Sequence, residues 1–500
     1  MKSNVKLLII GAVVLVMLIG AIVALTVLGK DDEAQEAEET TATETLSRLL
    51  YEKDSSLISD IHVKNETGEY DIVKYDDSSW FVKDFIGVPH STVAIQDILS
   101  AASSLTADQT ASDNAEDLSV YGLASPRADV TITFDDSSKT VKEILVGSDS
   151  PSAGLTYVCF KGENTVYAVD TSDINCYLNE SFDFLAKTVY TAKQAEDEND
   201  TTDYTKINKL TISRKDIDYD IVLEYDTRHD DENIISGNSA THVMTSPVQL
   251  DLNPDTSYDV LNDVFNLTAT DIAVVAPTDE IMAQFGLDDP FAEVDFDIVG
   301  GNFKLLIGNE YVDSDGKVLG RYCYADGINM IYMFNTDTIP WATVMPLDIS
   351  MTMITSTYIY SISSIDVATA DSSTHFELNG DSSDFQVKCS DGDVTADNFK
   401  SFYQFILRAP AEELYLEETD APADITITIT HQSGTDKIEF IKSDDRKTII
   451  RLNGRTSFKC RTAYTSRLIE NLGHLLNGEN MVDTWKTAAD CGIFFSSGVL

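Results

Sequence analysis

The sequence predicts an α+β fold, made of repeated modules of antiparallel β-meander with a packed helix and preceded by one N-terminal transmembrane helix. Three observations lead to this prediction. Residues 7–29 are apolar and uncharged, two similar stretches lie 164 residues apart (Gly122 to Gly286), and short runs of alternating apolar residues recur along the chain. Strict alternation of this kind is typical of strands that bury one face.

The prediction of a transmembrane helix depends on the length of the apolar run. As a helix, residues 7–29 would span roughly 35 Å, which is enough to cross the hydrocarbon core. Lys2 and Lys6 precede the run and DDEAQEAEE follows Lys30, so we expect a single-pass cell-membrane protein with a cytoplasmic N-terminus and an extracytoplasmic bulk. No cysteine follows the run directly, which excludes a lipoprotein anchor, whereas cleavage of the helix as a signal peptide stays open.

The two similar stretches are YGLASPRADVTITF, residues 121–134, and FGLDDPFAEVDFDI, residues 285–298. The same order of predicted elements surrounds both of them. Around the first stretch these elements are strands at 61–63, 70–75 and 80–82, a helix with Ile95, Ile98, Leu99, Ala102 and Leu105 and with Ser91 or Thr92 as N-cap, an alternating strand with Val130, Ile132 and Phe134, the run KEILVG that ends at Gly147, a hairpin that turns at Lys161 and Gly162, and a closing helix from Thr171 or Ser172.

Two further copies of this order follow. The second has a helix with Tyr258, Leu261, Val264 and Phe265, an alternation of Val294, Phe296 and Ile298, the run FKLLIG to Gly308 and a hairpin at Asp326 and Gly327. The third, more diverged copy has a helix with Phe399, Phe402, Tyr403 and Ile406 capped near Thr395, an alternation of Ile425, Ile427 and Ile429, the run KIEFIK and a hairpin at Asn453 and Gly454, but ETDAPAD replaces the glycine turn.

The copies define the predicted domain organisation. It consists of a cytoplasmic stub (1–6), a transmembrane anchor (7–29), an acidic tether (30–57), a first module (58–194), an acidic linker (195–204), a second module (205–350), a third module (351–488) and a tail (489–500).

Composition excludes one class of partner. The chain has 35 basic and 84 acidic residues, a net charge of −49, so it would be repelled by nucleic acid. Its apolar fraction of 43% is sufficient for packed cores. Six cysteines lie at 159, 176, 323, 389, 460 and 491 without a CxxC pair; Cys159 and Cys323 are predicted to be buried thiols, and one or two disulfides stay open.

Motifs that carry chemistry are absent from the sequence. The seven histidines show no HxH, HxxxH or HExxH spacing, and neither a Walker loop nor a GxSxG elbow occurs. In VDSDGK, Asp313, Asp315 and Gly316 match positions of a calcium loop, but Tyr311 and Tyr322 then occupy its outer ligand positions, so a polar hairpin loop is the better interpretation. Trp80, Trp341 and Trp485 are scattered and are predicted to pack. We therefore predict no catalytic, cofactor-binding or metal-binding residues, no cofactor and no enzyme.

The order of Trp80 on an early strand, a helix, YGL-x-x-P, an alternating strand, ILVG and TYV…G…VYAV resembles the domain-of-unknown-function family 4340 (DUF4340). The resemblance covers about residues 60–345 in tandem and the third module weakly, since the second module lacks the early tryptophan and the third lacks the YGL turn. It supplies no catalytic residues. It implies one N-terminal membrane helix and a neighbourhood of ABC transporters of the gliding-motility or auxiliary type.

These observations and the resemblance lead us to expect a membrane-anchored exported protein that acts as an accessory or scaffold component of a bacterial envelope complex, with an ABC transporter permease as its partner. The alternative is an extracytoplasmic ectodomain that binds a ligand or the cell wall between modules. A hydrolase using paired carboxylates is the third possibility, which would require a cleft that the sequence does not reveal.

Overall fold

The computed structural model describes residues 47–484 apart from 77–78, 196, 231–239, 352–353 and 356. The predicted stub, transmembrane anchor and tail lie outside the described residues, as do the tether up to residue 46, Trp485 and Cys491. Among the described residues, no helix combines the length and the apolar character that crossing a membrane requires.

Most of the fold is antiparallel β-sheet with helices packed on it, which confirms the α+β prediction. We name the parts of the chain by their large sheets: the first unit (48–186), the second unit (204–351) and the third unit (354–484). The first unit contains β1 (Arg48–Glu52), β2 (Ile58–Asn65), β3 (Glu69–Lys74), β4 (Trp80–Val82), β5 (Ser104–Ala107), β6 (Gln109–Ser112), β7 (Ala128–Phe134), β8 (Val141–Asp149), β9 (Leu155–Phe160) and β10 (Val166–Asp170).

The strands of the other two units follow in a similar order. The second unit contains β11 (Ile207–Arg214), β12 (Ile221–Tyr225), β13 (His242–Ser246), β14 (Leu250–Asp251), β15 (Asp271–Val275), β16 (Ala292–Ile298), β17 (Gly301–Val312), β18 (Val318–Ala325) and β19 (Met330–Asn335). The third contains β20 (Ile362–Thr369), β21 (Ser373–Asn379), β22 (Gln386–Cys389), β23 (Glu413–Leu414), β24 (Ile425–His431), β25 (Gly434–Lys442), β26 (Lys447–Leu452) and β27 (Arg455–Arg461).

Strand order is the same in the three large sheets. It is β4-β3-β2-β7-β8-β9-β10-β6 in the first, β14-β13-β12-β11-β16-β17-β18-β19-β15 in the second and β22-β21-β20-β24-β25-β26-β27-β23 in the third. Apart from the added β14, each strand therefore has the same neighbours in every unit. β1 and β5 stand apart as a two-stranded sheet in the first unit.

The helices are short and sit at repeated places. They are α1 (Thr92–Ser103), α2 (Thr171–Ile174), α3 (Tyr258–Asn262), α4 (Asp279–Gln284), α5 (Pro346–Ile349), α6 (Ala396–Leu407) and α7 (Thr462–Leu476). α1 follows β4, α3 follows β14 and α6 follows β22, so each lies in the chain between the two edge strands of its large sheet. Ser91 caps α1, since its Oγ accepts the Ala94 amide, and Thr395 caps α6 in the same way through Asn398.

Two details of the predicted helices are wrong. Leu105 is buried, but it lies on β5, because the chain turns to extended geometry at Ser104, where φ is −150° and ψ is 150°. Tyr258 is 62% exposed, because α3 is a single turn followed by a 3₁₀ turn; Val260 is buried in addition to Leu261 and Val264, whose predicted burial is confirmed. α4 was not predicted, since it is too short to show a helical period.

The alternating strands and the hairpin turns are confirmed. Every second residue of β7 is buried, and β16 buries Val294, Phe296 and Ile298. The hairpin turns contain Gly162, Gly327 and Gly454, all with positive φ, a conformation that glycine adopts without steric cost.

The tether assignment of 30–57 is wrong at its C-terminal end, because β1 and a 3₁₀ turn at Ser55–Leu57 belong to the first unit. Tyr51 is 7% exposed and its hydroxyl donates to the Ala102 carbonyl. The acidic composition upstream conceals this short strand, whose pairing with β5 joins residues about fifty positions apart in the sequence.

The first and second units are joined by strand pairing rather than by a loose linker. The Val189 amide donates to the Leu267 carbonyl at 2.8 Å, and the Ala269 amide donates to the Lys187 carbonyl at 2.7 Å. The predicted linker begins only after this pairing. Leu185 and Val189, from the end of the first unit and the segment after it, belong to the same apolar cluster as the cores of the second and third sheets.

Candidate functional site

The first unit contains a polar groove of about 470 Å³ between α1, β5 and the segment that begins with α2. This volume lies within the range of small-molecule sites. The groove is open to solvent, and its lining consists of Asp97, Ser100, Ala101, Ser104, Thr106, Ser172, Asp173, Asn175, Cys176 and Asn179.

Local folding rules explain why polar groups collect there. α1 buries Ile95, Ile98 and Ala102 at helical spacing, so the neighbouring positions of the helix turn toward the groove. β5 buries Leu105 and Ala107 and presents Ser104 and Thr106, as the period of a strand requires. α2 begins where the Asp170 carboxylate caps the Ser172 amide.

The groove is negatively charged. Its lining contains two carboxylates and no Lys, Arg or His. Partial burial and the nearby carboxylates of Asp170 and Asp108 raise the pKa of Asp173. Burial, and next the Asp97 carboxylate, raise the pKa of the Cys176 thiol to about 12. This thiol therefore stays protonated at neutral pH and is a poor nucleophile.

The chemistry of the lining suits a small polar ligand. Hydroxyl groups and side-chain amides both donate and accept hydrogen bonds, while the carboxylates accept from hydroxyl or ammonium groups. Within the described part of the chain, no group of three or more His, Cys, Asp or Glu is arranged to hold a metal ion. The lining therefore offers hydrogen-bonding groups to a ligand.

The described histidines have local partners instead of a shared centre. His62 pairs with Asp71 at 2.7 Å and His375 with Asp366 at 2.6 Å, each across adjacent strands. The Nε2 atom of His90 accepts the Val82 amide, and burial lowers the pKa of His90, which favours the neutral ring. These arrangements stabilise strands and turns.

The VDSDGK segment forms the loop of the β17–β18 hairpin, as the sequence predicts. One carboxylate oxygen of Asp313 accepts the backbone amides of Asp315 and Lys317, each at 2.9 Å. This oxygen is already engaged in shaping the turn. Trp341 is fully buried and donates to the Val260 carbonyl, and Trp80 packs half-buried against the first core, so the packing prediction is confirmed for both.

The YGL and FGL turns are structural features. Gly122 and Gly286 have φ of +71° and +69°, and the leucine after each is 2% exposed. Each turn packs against a glycine at the end of the next apolar run, Gly147 in the first unit and Gly308 in the second. A Cβ at Gly147 would collide with the Tyr121 carbonyl, and one at Gly308 with the Phe285 carbonyl.

The third unit replaces this contact. Ile425, the first residue of β24, pairs with Phe440, and the next residue is Ile441. The first residues of β7 and β16 pair with Val146 and Ile307, which are followed by Gly147 and Gly308. Ile441 is 2% exposed. A bulky side chain therefore occupies the position on which the glycine turn rests in the other units, which accounts for the missing turn.

Sequence reasoning did not find the groove, because its residues come from three elements of ordinary polar character, α1, β5 and the segment that begins with α2. Comparison with known proteins gives a family match: residues 80–290 match the model of a family described as a domain of unknown function (DUF4340). The matched range runs from β4 in the first unit to the FGL turn region of the second. No curated protein and no solved structure shows significant similarity to the chain.

Proposed function

Because residues 80–290 place this chain in the DUF4340 family, we propose that it is a non-enzymatic, membrane-anchored exported protein that serves as an accessory or scaffold component of an envelope complex. The observation that carries the proposal is the series of three sheets with one strand order, in which the segment that follows the first unit forms backbone hydrogen bonds with the second unit. Modules in series present an extended surface, which suits binding of a protein partner.

In this proposal residues 7–29 form the anchor and the three units are copies of one module on the extracytoplasmic side. The support is the uncharged apolar run with Lys2 and Lys6 before it. The partner is an ABC transporter permease of the gliding-motility or auxiliary type, and the support for this partner is the family resemblance.

Crosslinking in intact cells, with gentle detergent extraction and mass spectrometry, tests the proposal. A photo-crosslinking residue is placed at one exposed apolar position in each unit: Val120 (72% exposed), Val318 (41%) and Ile469 (38%). Recovery of permease and ATPase subunits from at least one position is the expected result. A buried position, Ile132 at 0% exposure, provides the matched control.

Recovery of the protein without a membrane partner from all three exposed positions would contradict the scaffold proposal. It would favour the second candidate function, an extracytoplasmic ectodomain that binds a ligand or the cell wall. The groove of the first unit is the specific observation that favours this alternative. Retention on purified wall material, compared between the native chain and an Asp97→Asn/Asp173→Asn variant, tests it, since these changes remove the charge of the groove and keep its volume.

A further inference from the structure

The groove of the first unit lies between α1, β5 and the segment that begins with α2. In the second and third units, a buried aromatic side chain ties the corresponding segment to the helix, because Trp341 donates to the Val260 carbonyl of α3 and Tyr464 donates to the Phe405 carbonyl of α6. In the first unit, the buried hydroxyl of Tyr177 has no hydrogen-bond partner among the described residues. Helix and segment are instead separated by the groove, which polar side chains line.

The two carboxylates of the groove have no cation as a partner. Asp97 lies on α1 and Asp173 on α2, and within the described part of the chain neither side chain forms an ion pair or a hydrogen bond. Both carboxylates act electrostatically on the Cys176 thiol, which also lines the groove. Their negative charges therefore reach the same part of the groove, where both would attract a cation.

Other carboxylates of the first unit do have a cationic partner. The pairs, at 2.6, 2.7 and 2.8 Å, are Asp136 with Lys53, Asp149 with Arg127 and Asp129 with Lys161. The groove lining contains no Lys, Arg or His, so the charge of its two carboxylates is not compensated from within the lining. A bound cation would supply this compensation.

The other side chains of the lining indicate which kind of cation fits. They include four hydroxyl groups and two side-chain amides, but no aromatic ring. Because aromatic faces are what recognises a quaternary ammonium, the lining does not suit such a ligand. A primary ammonium donates three hydrogen bonds, which carboxylates and hydroxyls accept, and hydroxyl groups of a ligand can bond the amides.

We propose that the groove binds a small primary amine that also carries hydroxyl groups, as an amino sugar does, with its ammonium at Asp97 and Asp173 and its hydroxyls at the serine, threonine and asparagine side chains. The inference rests on the ligand-binding alternative of the proposed function and names the class of its ligand. The volume of about 470 Å³ lies in the lower part of the range of small-molecule sites, which limits the ligand to a small one.

Isothermal titration calorimetry of the purified full-length chain with glucosamine tests this assignment. Glucose, which lacks the ammonium, and N-acetylglucosamine, whose nitrogen is uncharged, are the matched ligands. Asp97→Asn and Asp173→Asn each remove one carboxylate and keep the size of the side chain. Glu163→Gln, at an exposed position in the turn between β9 and β10, is the matched control variant.

We expect glucosamine to bind about tenfold more tightly than glucose or N-acetylglucosamine, because hydrogen bonds between charged groups are the stronger ones. Each aspartate variant should weaken glucosamine binding about tenfold, whereas Glu163→Gln should leave it unchanged. Undetectable glucosamine binding, or equal affinity for glucosamine and glucose, would overturn the inference. An equal loss in Glu163→Gln would also overturn it, because it would show general attraction to an acidic surface.

The result can be separated from that of the wall-retention experiment. Glucosamine binding without wall retention would keep the ligand class and exclude the wall as the source of the ligand. Wall retention without glucosamine binding would keep the second candidate function and overturn the inference. Neither measurement depends on membrane anchoring or on an envelope partner.

Discussion

The YGL turn offers a quantitative test of the packing argument, through the variant Gly122→Ala. Gly122 has φ of +71°, where a residue with a Cβ is strained by about 1–2 kcal/mol. A Cβ there would also lie 2.7 Å from the Ser148 backbone nitrogen. Because a backbone atom within a strand cannot move aside freely, this contact adds about 1–3 kcal/mol of overpacking. The expected total loss in the free energy of unfolding is about 2–5 kcal/mol.

Gly162 in the same unit separates the two contributions. Its φ is +84°, but an added Cβ would meet no atom within 4 Å. Gly162→Ala therefore introduces the strain without the collision, and should cost about 1–2 kcal/mol. The difference between the two variants measures how tightly the turn packs on β8.

Hydrogen exchange resolved by peptide is the suitable assay, because a chain of three joined units does not unfold as one two-state system. Exchange of the β7 and β8 amides should accelerate much more in Gly122→Ala than in Gly162→Ala, and exchange in the third sheet should not change. Equal acceleration in the two variants would refute the packing argument, since backbone strain alone would then account for the role of the glycine.

Three further predictions concern single contacts. Ser91→Ala should destabilise α1 by about 1 kcal/mol, measured by hydrogen exchange of its first turn, whereas Thr92→Ala should not, because Ser91 makes the capping bond. Hydrogen bonding from Arg451, with a smaller contribution from Lys437, holds the pKa of Glu439 at about 2, so the stability that this cluster contributes to the third unit should be full above about pH 4.5 and be lost as the pH falls toward 2. Arg451→Met should reduce this pH dependence in thermal unfolding, while Lys437 preserves part of it. Asn471→Ala should accelerate hydrogen exchange of the Val482 amide, because the fully buried Asn471 side chain bonds both the amide and the carbonyl of Val482, and a native-like exchange rate would contradict this.

Much of each sheet could be predicted because its signals are local. Alternation of Val130, Ile132 and Phe134 reports one buried face within seven residues, and Lys161-Gly162 identifies a hairpin by itself. The repetition of modules also supported the weaker parts of the prediction, since the third copy is recognisable mainly because its predicted helix and strands follow the same order as in the first two. α3 and α4 have only five and six residues, too few turns to show a period, which explains the errors at Tyr258 and α4.

The groove and the place of β1 could not be predicted, because both depend on contacts between distant segments. β1 pairs with a strand about fifty residues later, and its sequence, RLLYE, is too short to identify a strand. The groove residues are exposed polar side chains that any surface loop carries. Only the return of the chain after β10 brings Asp173 and Cys176 opposite Asp97.

The family match bears on which part of the chain acts as a unit. The matched range, 80–290, includes both sides of the junction, residues 187–189 and 267–269, and ends before the second sheet is complete. The family match therefore spans the contact between the first and second units and does not end at the boundary of either unit. Residues 105–107 accept β1, and the corresponding residues 267–269 accept residues 187–189, so the docking of an entering segment attaches the second unit to the first. A functional surface that needs two units in a fixed relation would depend on this junction rather than on the acidic linker that follows it.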